Sequence, residues 1–245
     1  MKDMQYKGDF ILRNIVMFLW VFMRYIFVFV SFNQIVTIGD WNFDKSLVLV
    51  SIFNVSHSLY KMFFEENFMN FASKLYEGEL DQILLKPISA QFTVSIQDFM
   101  PRGFIRFLLS LVIFIVSLAC VGWSFSLVKI LGFIVAFILG FSFSYSIHFI
   151  VVCLSFWFGN VDNIHFLSRS FTNLTYIPMD IFPLGMNLFF TLFMPIVFIA
   201  TVPAKILFEP NIGILVLEAI ISILFFWLTS LVWHQGLKSY SSVSS

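Results

Sequence analysis

The chain has 245 residues, 60% of them hydrophobic and 11% charged, with thirty-five phenylalanines and fourteen basic residues balancing fourteen acidic ones. Its mean hydropathy is +0.94, and a soluble chain of this length cannot cover so much apolar surface, so the composition points to a polytopic membrane protein. The zero net charge says nothing about partners, because in a bilayer the placement of charges matters more than their sum, and no basic surface suited to nucleic acid exists.

Apolar runs of roughly 18–20 residues mark candidate spans. The first, from about Ile15 to Ile38, has Arg13 before it and Arg24 within it, and no small-residue cleavage site follows, so it is expected to be a span and not a removable signal. Arg24 lies less than halfway in, where its long side chain can reach toward the inner surface. The second runs from about Leu47 to Met69. Along it Ser51, Asn54, Ser58, Lys61 and Glu65 recur at spacings of three and four, with His57 adjacent, which makes one continuous polar face. Such a face either hydrogen-bonds to a neighbouring helix or lines a hydrated path; the residue types leave both open.

A short charged stretch follows, "LYEGELDQILLKPISAQF", Leu75 to Phe92. Leu80, Ile83 and Leu84 share one helical face, while Glu77, Glu79 and Asp81 sit among the polar positions. Gly78 supplies a flexible position before this helix, and Pro87, lacking a backbone donor, ends it. The piece is too short to be stable alone in water and needs a surface to lie on. Interfacial helices that meet anionic lipid favour Lys and Arg, so an acidic face favours a protein partner over lipid headgroups.

The third span is expected from Phe104 to Val121 and the fourth from Val128 to Phe158. In the fourth, Gly132, Ala136, Gly140, Ser144 and His148 follow one another at four-residue intervals, a stripe that lets two helices approach closely. Cys120 and Cys153 fall inside these runs and are expected to be small buried hydrophobes. Between Leu167 and Leu207 lie Pro178, Pro183, Pro195 and Pro203. Proline-broken backbone at membrane depth needs protein or water around it. One option is a fifth span at Phe166 to Ile181, with a polar stripe of Ser168, Thr172 and Thr175, followed by a re-entrant pair over 184–207. The other makes Met186 to Ala204 the fifth span; four prolines favour the re-entrant option. A last span runs from Ile212 to Trp233, with Glu218 near its outer end.

If the N-terminus is cytoplasmic, the inner side holds Lys2, Lys7, Arg13, Lys61, Lys74, Lys86, Arg102, Arg106, Arg169 and Lys238, and the outer side only Lys45, Lys129 and Lys205. That imbalance, with Trp20, Trp157 and Trp233 near inner ends and Trp41 and Trp123 at outer turns, predicts six spans with both termini inside. The segments 1–14, 72–92 and 234–245 are then cytoplasmic. Chemistry finds no foothold: the catalytic motifs for hydrolysis are missing, and His57, His148, His165 and His234 lack the spacing of metal ligands.

"GELDQILLKP", Gly78 to Pro87, resembles the G-x-L-D-x-x-L-x-(R/K)-P element of permease subunits in a bacterial family of ATP-binding-cassette exporters, within the type-2 exporter permease superfamily. "WHQGLKSYSS", Trp233 to Ser242, is similar to that family's closing W-x-x-G-L-x-x-Y-S segment, and "YIPMDIFP" with "MPIVFIATVPAKIL" resembles its proline-rich region before the last span. The resemblance implies an all-α fold of six spans, with re-entrant helices before the sixth, in a bacterial cytoplasmic membrane. It also implies a coupling helix between spans two and three, built here on Glu77, Gly78, Leu80, Asp81, Ile83, Leu84 and Pro87 and gripped by a separate ATPase that carries ATP and Mg. A second permease, identical or paralogous, would complete the pathway, with spans two and five forming its walls. This chain itself holds no phosphate-binding loop, so no cofactor is expected on it. The rival readings are a secondary transporter or channel working without an ATPase, and a non-transporting membrane scaffold.

Overall fold

A computed structural model describes residues 7–33, 36–159, 166, 169–170, 172–178, 183, 185–186 and 196–240. The first long helix, α1 (Lys7–Phe32), stops six residues before the expected end of the first span. A small antiparallel hairpin follows, β1 (Thr37–Ile38) paired with β2 (Trp41–Asn42), with Ile38 opposite Trp41. Its two-residue turn begins at Gly39, whose φ of +59° is the left-handed conformation that tight hairpin turns require and glycine adopts without steric cost.

The centre of the structure is α2 (Phe43–Phe63). Asn42 caps its start, its side chain accepting from the Lys45 amide at 2.9 Å. This helix is buried on all sides, including Ser46, Ser51, Asn54, Ser56 and Ser58. Small residues explain the close approach of its neighbour α7 (Pro101–Cys120), where Gly103, Ser110 and Ser117 stand one heptad apart and are all buried. A Cβ on Gly103 would come within 2.7 Å of the Met62 Cβ. The second span was expected to continue to Met69, but α2 ends at Phe63 and the chain turns into short helices α3 (Glu65–Met69), α4 (Phe71–Tyr76), α5 (Glu79–Leu84) and α6 (Ala90–Ile96).

The remaining long helices are α8 (Leu127–Cys153), followed by the short α9 (Ser155–Phe158), and α11 (Ile212–Ser239). Between them α10 (Val197–Phe208) is twelve residues long and almost wholly buried, with Pro203 inside it. The small-residue stripe of α8 faces α10: a Cβ on Gly140 would collide with the carbonyl oxygen of Phe198, and one on Gly132 would meet Ile206 at 2.9 Å. On its other side α8 packs along α11, which continues past Trp233, the expected end of its span, to Ser239. Among the described residues three helices, within Gly103–Cys120, Leu127–Phe158 and Ile212–Ser239, are long and apolar enough to cross a membrane. Six of the sixteen residues of the expected fifth span, Ser168 among them, and positions 184 and 187–195 of the expected re-entrant segment lie outside the described residues.

The two ends of the bundle differ. At one, the hairpin, the end of α10 and the start of α11 meet, and Trp123 ties the α7–α8 turn to them by donating Nε1–H to the Leu207 carbonyl at 2.9 Å. At the other, many of the phenylalanines gather around the short helices. Phe71, Phe156 and Trp233 form a triangle of rings 5.5–6.1 Å apart, and Phe64 stacks on Phe68 at 5.8 Å.

Candidate functional site

The acidic segment is fastened to the body at several points. Gly78 starts α5 with φ +74°, a left-handed turn that aims the helix back at the bundle. Leu80 and Ile83 are 1% and 3% exposed and insert into the aromatic cluster, among Tyr60 and Phe64 from the end of α2, Phe149 and Val152 of α8, and Trp233 of α11. The face of Leu80, Ile83 and Leu84, expected to be the one a partner ATPase grips, is divided instead: Leu80 and Ile83 pack into the chain's own body, and Leu84 is 41% exposed. The correction has a geometric reason: α5 makes under two turns before the chain leaves the helix, and its fifth and sixth positions diverge, Ile83 inward and Leu84 outward.

What the segment shows to its surroundings is a ridge of Glu77, Glu79, Leu84, Leu85, Lys86, Pro87 and Ile88, with Leu85 at 86% and Ile88 at 59% exposure. Asp81 is half-buried beside Tyr240, and burial together with that carboxylate raises the Tyr240 phenol above its ordinary pKa. Behind the ridge, Asn67 is fully buried and acts as a clip. Its amide donates to the carbonyls of Phe63 and Asp98 at 2.8 Å and accepts from the Asp98 amide at 2.9 Å. Lys74 pairs with the Asp98 carboxylate at 2.9 Å, and the Met100 amide donates to the Met62 carbonyl at 3.0 Å. The loop from α2 to α7 is thereby closed on itself. Leu85, Ile88 and Asn67 were not singled out by sequence reasoning; a second leucine immediately before "KP" and an asparagine in an aromatic run were the available signals.

The polar face of α2 divides into two parts. Ser51 is buried between helices, its hydroxyl donating to the Leu47 carbonyl at 2.7 Å and lying 3.0 Å from the Ser117 hydroxyl and 3.1 Å from that of Tyr25. Asn54 accepts from the Arg24 guanidinium at 2.6 Å, and Ser58 donates to the Val55 carbonyl at 2.8 Å. Further along the same helix, His57, Lys61 and, just beyond it, Glu65 border an open cleft with Arg24, Arg106 and Arg169. Glu65 pairs with Lys61 at 3.3 Å and with Arg169 at 3.0 Å. Thr172 and Thr175 are buried next to it. Thr175 donates to the Thr172 carbonyl at 2.6 Å, and Thr172 lies 3.5 Å from His148, whose Nδ1 sits 2.7 Å from the Ser144 carbonyl. The structure therefore brings Arg24 and Arg169, distant in sequence, to the polar face of α2. Glu218 lies apart from them on α11, fully buried, with neither carboxylate oxygen hydrogen-bonded among the described residues.

Gly236 in the closing motif has a packing role: a Cβ there would collide with the Phe156 ring, so the last turn of α11 can lie against α9 only with glycine at this position. No curated protein and no solved structure shows a significant match to this chain. A family model described as ABC-2 family transporter protein matches residues 18–244, taking in the acidic segment, the cleft and the closing motif alike. The chain thus belongs to the ABC-2 family of transporter proteins and is a transmembrane permease.

Proposed function

We propose that this permease is the transmembrane subunit of an ATP-binding-cassette exporter, driven by a separate ATPase that binds the acidic segment. The observation that carries the proposal is the two-sided construction of α5. Its inner side, Leu80 and Ile83, is buried in the cluster that also holds Tyr60, Phe149 and Trp233, while its outer side and the turn after it present acids and the exposed Leu84, Leu85 and Ile88. A force applied to the ridge passes through α4 and α6, on which α5 packs, into the buried aromatic cluster shared with α8 and α11, because close-packed side chains transmit displacement instead of absorbing it. An isolated interfacial helix would leave its leucines toward lipid; here they are spent inside the chain, and a second apolar set is left for a partner.

In this reading two ATPase subunits, loaded with ATP and Mg, grip the segments of two permeases, identical or paralogous, in a bacterial cytoplasmic membrane. Six spans with both termini and the segment on the cytoplasmic side fit the distribution of basic residues, and α10 belongs to re-entrant structure before the last span. Closure of the ATPases on ATP pulls α2 relative to α1 and α7, converting a nucleotide-driven equilibrium into alternating access. The pathway runs from the open cleft along the seam of Ser51, Asn54 and Ser58 toward Thr172 and Thr175; parting of α1 from α2 exposes the hydroxyls now bonded between them.

The test is co-purification of the cognate ATPase with Leu85→Asp/Ile88→Asp. These residues are exposed, so the permease is expected to remain folded and inserted while ATPase recovery collapses. Full recovery of the ATPase with this double variant would refute the assignment. Transport in vesicles that needs no ATP and follows a proton gradient would favour the secondary-transporter rival instead.

A further inference from the structure

The cleft between α1, α2, α7 and the residues around Arg169 has a volume of about 460 Å³, within the range of small-molecule sites. Its described lining contains four cations, Arg24, Lys61, Arg106 and Arg169, and one acid, Glu65. Both oxygens of Glu65 are taken, one by Lys61 and the other by Arg169. Arg24 uses one nitrogen on the neutral Asn54 and lies 4.8 Å from the centre of the Phe53 ring. Arg106 makes no ion pair or hydrogen bond among the described residues. The Nε atoms of Arg106 and Arg169 are buried without an acceptor among the described residues. Among the described residues four positive groups face one negative, and the remaining described polar neighbours, His57, Ser170, Asn173 and Tyr176, carry no carboxylate.

Uncompensated, partly buried cations in an apolar surrounding are costly unless an anion joins them. Guanidinium forks suit phosphate and carboxylate oxygens, which they bind in pairs. One wall of the cleft is different: Trp20, Met23 and Phe27 of α1 border it and are exposed beyond it. Spaced by three and four, they form one apolar strip that begins at the cationic floor and leads outward along α1. A cation would be repelled here, and a small free anion would leave the strip unused.

We propose that this cleft binds the anionic head of an amphiphile, a phosphate or carboxylate held by Arg106, Arg169 and Arg24, with its hydrocarbon tail laid along Trp20, Met23 and Phe27. The source is the surrounding bilayer leaflet. The assignment stands on the cleft alone and requires neither an ATPase nor transport, so its failure and that of the exporter reading are separable.

The experiment measures lipid binding to the purified chain in nanodiscs of phosphatidylcholine, by native mass spectrometry and by fluorescence of a labelled phosphatidylglycerol. Phosphatidylglycerol is expected to bind in preference to phosphatidylcholine, more weakly at high salt, while inorganic phosphate at equal concentration competes poorly. Arg106→Gln should weaken phosphatidylglycerol binding by about 10-fold, since one charge-assisted contact is lost. Lys45→Gln, at the opposite end of the bundle, should leave it unchanged. Arg106→Lys, which keeps the charge and loses the fork, should fall between. Equal binding of the two lipids, or equal loss in Arg106→Gln and Lys45→Gln, would overturn the proposal. Inorganic phosphate binding as tightly as the lipid would overturn the role of the tail. The selectivity of the unaltered protein is read without any variant, so poor folding of one leaves the proposal open to refutation.

Discussion

Both ends of the bundle carry a polar cavity, and they handle charge in opposite ways. At the hairpin end Asp40 and Glu209 stand with Lys45 and Lys205 around a space of about 370 Å³, two acids to two bases. Lys45 reaches Glu209 at 3.9 Å and also lies over the Phe208 ring at 5.5 Å. This is the matched, solvent-screened arrangement of an ordinary surface. At the other end, among the described residues, four bases face one acid, the pairs are shorter, and arginine nitrogens are left buried without acceptors. Among the described residues, two cavities of similar size thus differ in how nearly their charges are matched. The matched one needs nothing further; the other is where the anionic head is proposed to bind.

The contrast can be broken or sharpened by substitution. Glu65→Gln removes the only acid of the described cleft and leaves Lys61 and Arg169 unpaired where Glu65 is only 14% exposed. Breaking such a pair costs about 3–5 kcal/mol, so a marked fall in melting temperature in detergent is expected. An unchanged melting temperature would mean that the cleft is far wetter than its packing indicates. Arg24→Gln removes the bond to Asn54 and the contact with Phe53, together about 1–3 kcal/mol, and should loosen α1 from α2, read as faster proteolysis of the N-terminal helix. Gly78→Ala forces a Cβ into a left-handed turn at a cost of about 1–2 kcal/mol and should reduce ATPase co-purification without affecting the hairpin end. Glu209→Gln should be the mildest. Its carboxylate is 86% exposed, and such pairs contribute about 0–1 kcal/mol, so the melting temperature should stay within error.

Much of this architecture was legible in the sequence because spans are written as uninterrupted apolar length. The third, fourth and last spans emerge as α7, α8 and α11 close to the expected bounds. The ends were less legible where tertiary packing decides them. Phe64 and Phe68 look like continuing span, yet their rings are drawn into the aromatic cluster with Tyr60 and Tyr145, and the helix breaks between Phe63 and Glu65. The α2 stripe was visible by its period, but its division between bonded and open halves depends on Tyr25, Arg24 and Ser117 arriving from other helices. The heptad of Gly103, Ser110 and Ser117 carries little signal in the sequence, because each residue alone is common in apolar helices. The cleft itself was not readable, since Arg24, Arg106 and Arg169 are separated by tens of residues and no local pattern joins them.

Under the exporter proposal, motion imposed on the acidic segment reaches the cleft through α2. This coupling is tested most directly in vesicles holding the assembled complex, with Cys120 and Cys153 replaced and a single cysteine introduced by Ser170→Cys at the cleft. Labelling by a maleimide is followed with and without ATP. ATP is expected to change the labelling rate several-fold in the parent complex, and Leu80→Ala, which loosens the inner side of α5, is expected to abolish the change while the ATPase stays bound. An ATP-independent rate in the parent complex, with the ATPase attached and hydrolysing, would contradict it.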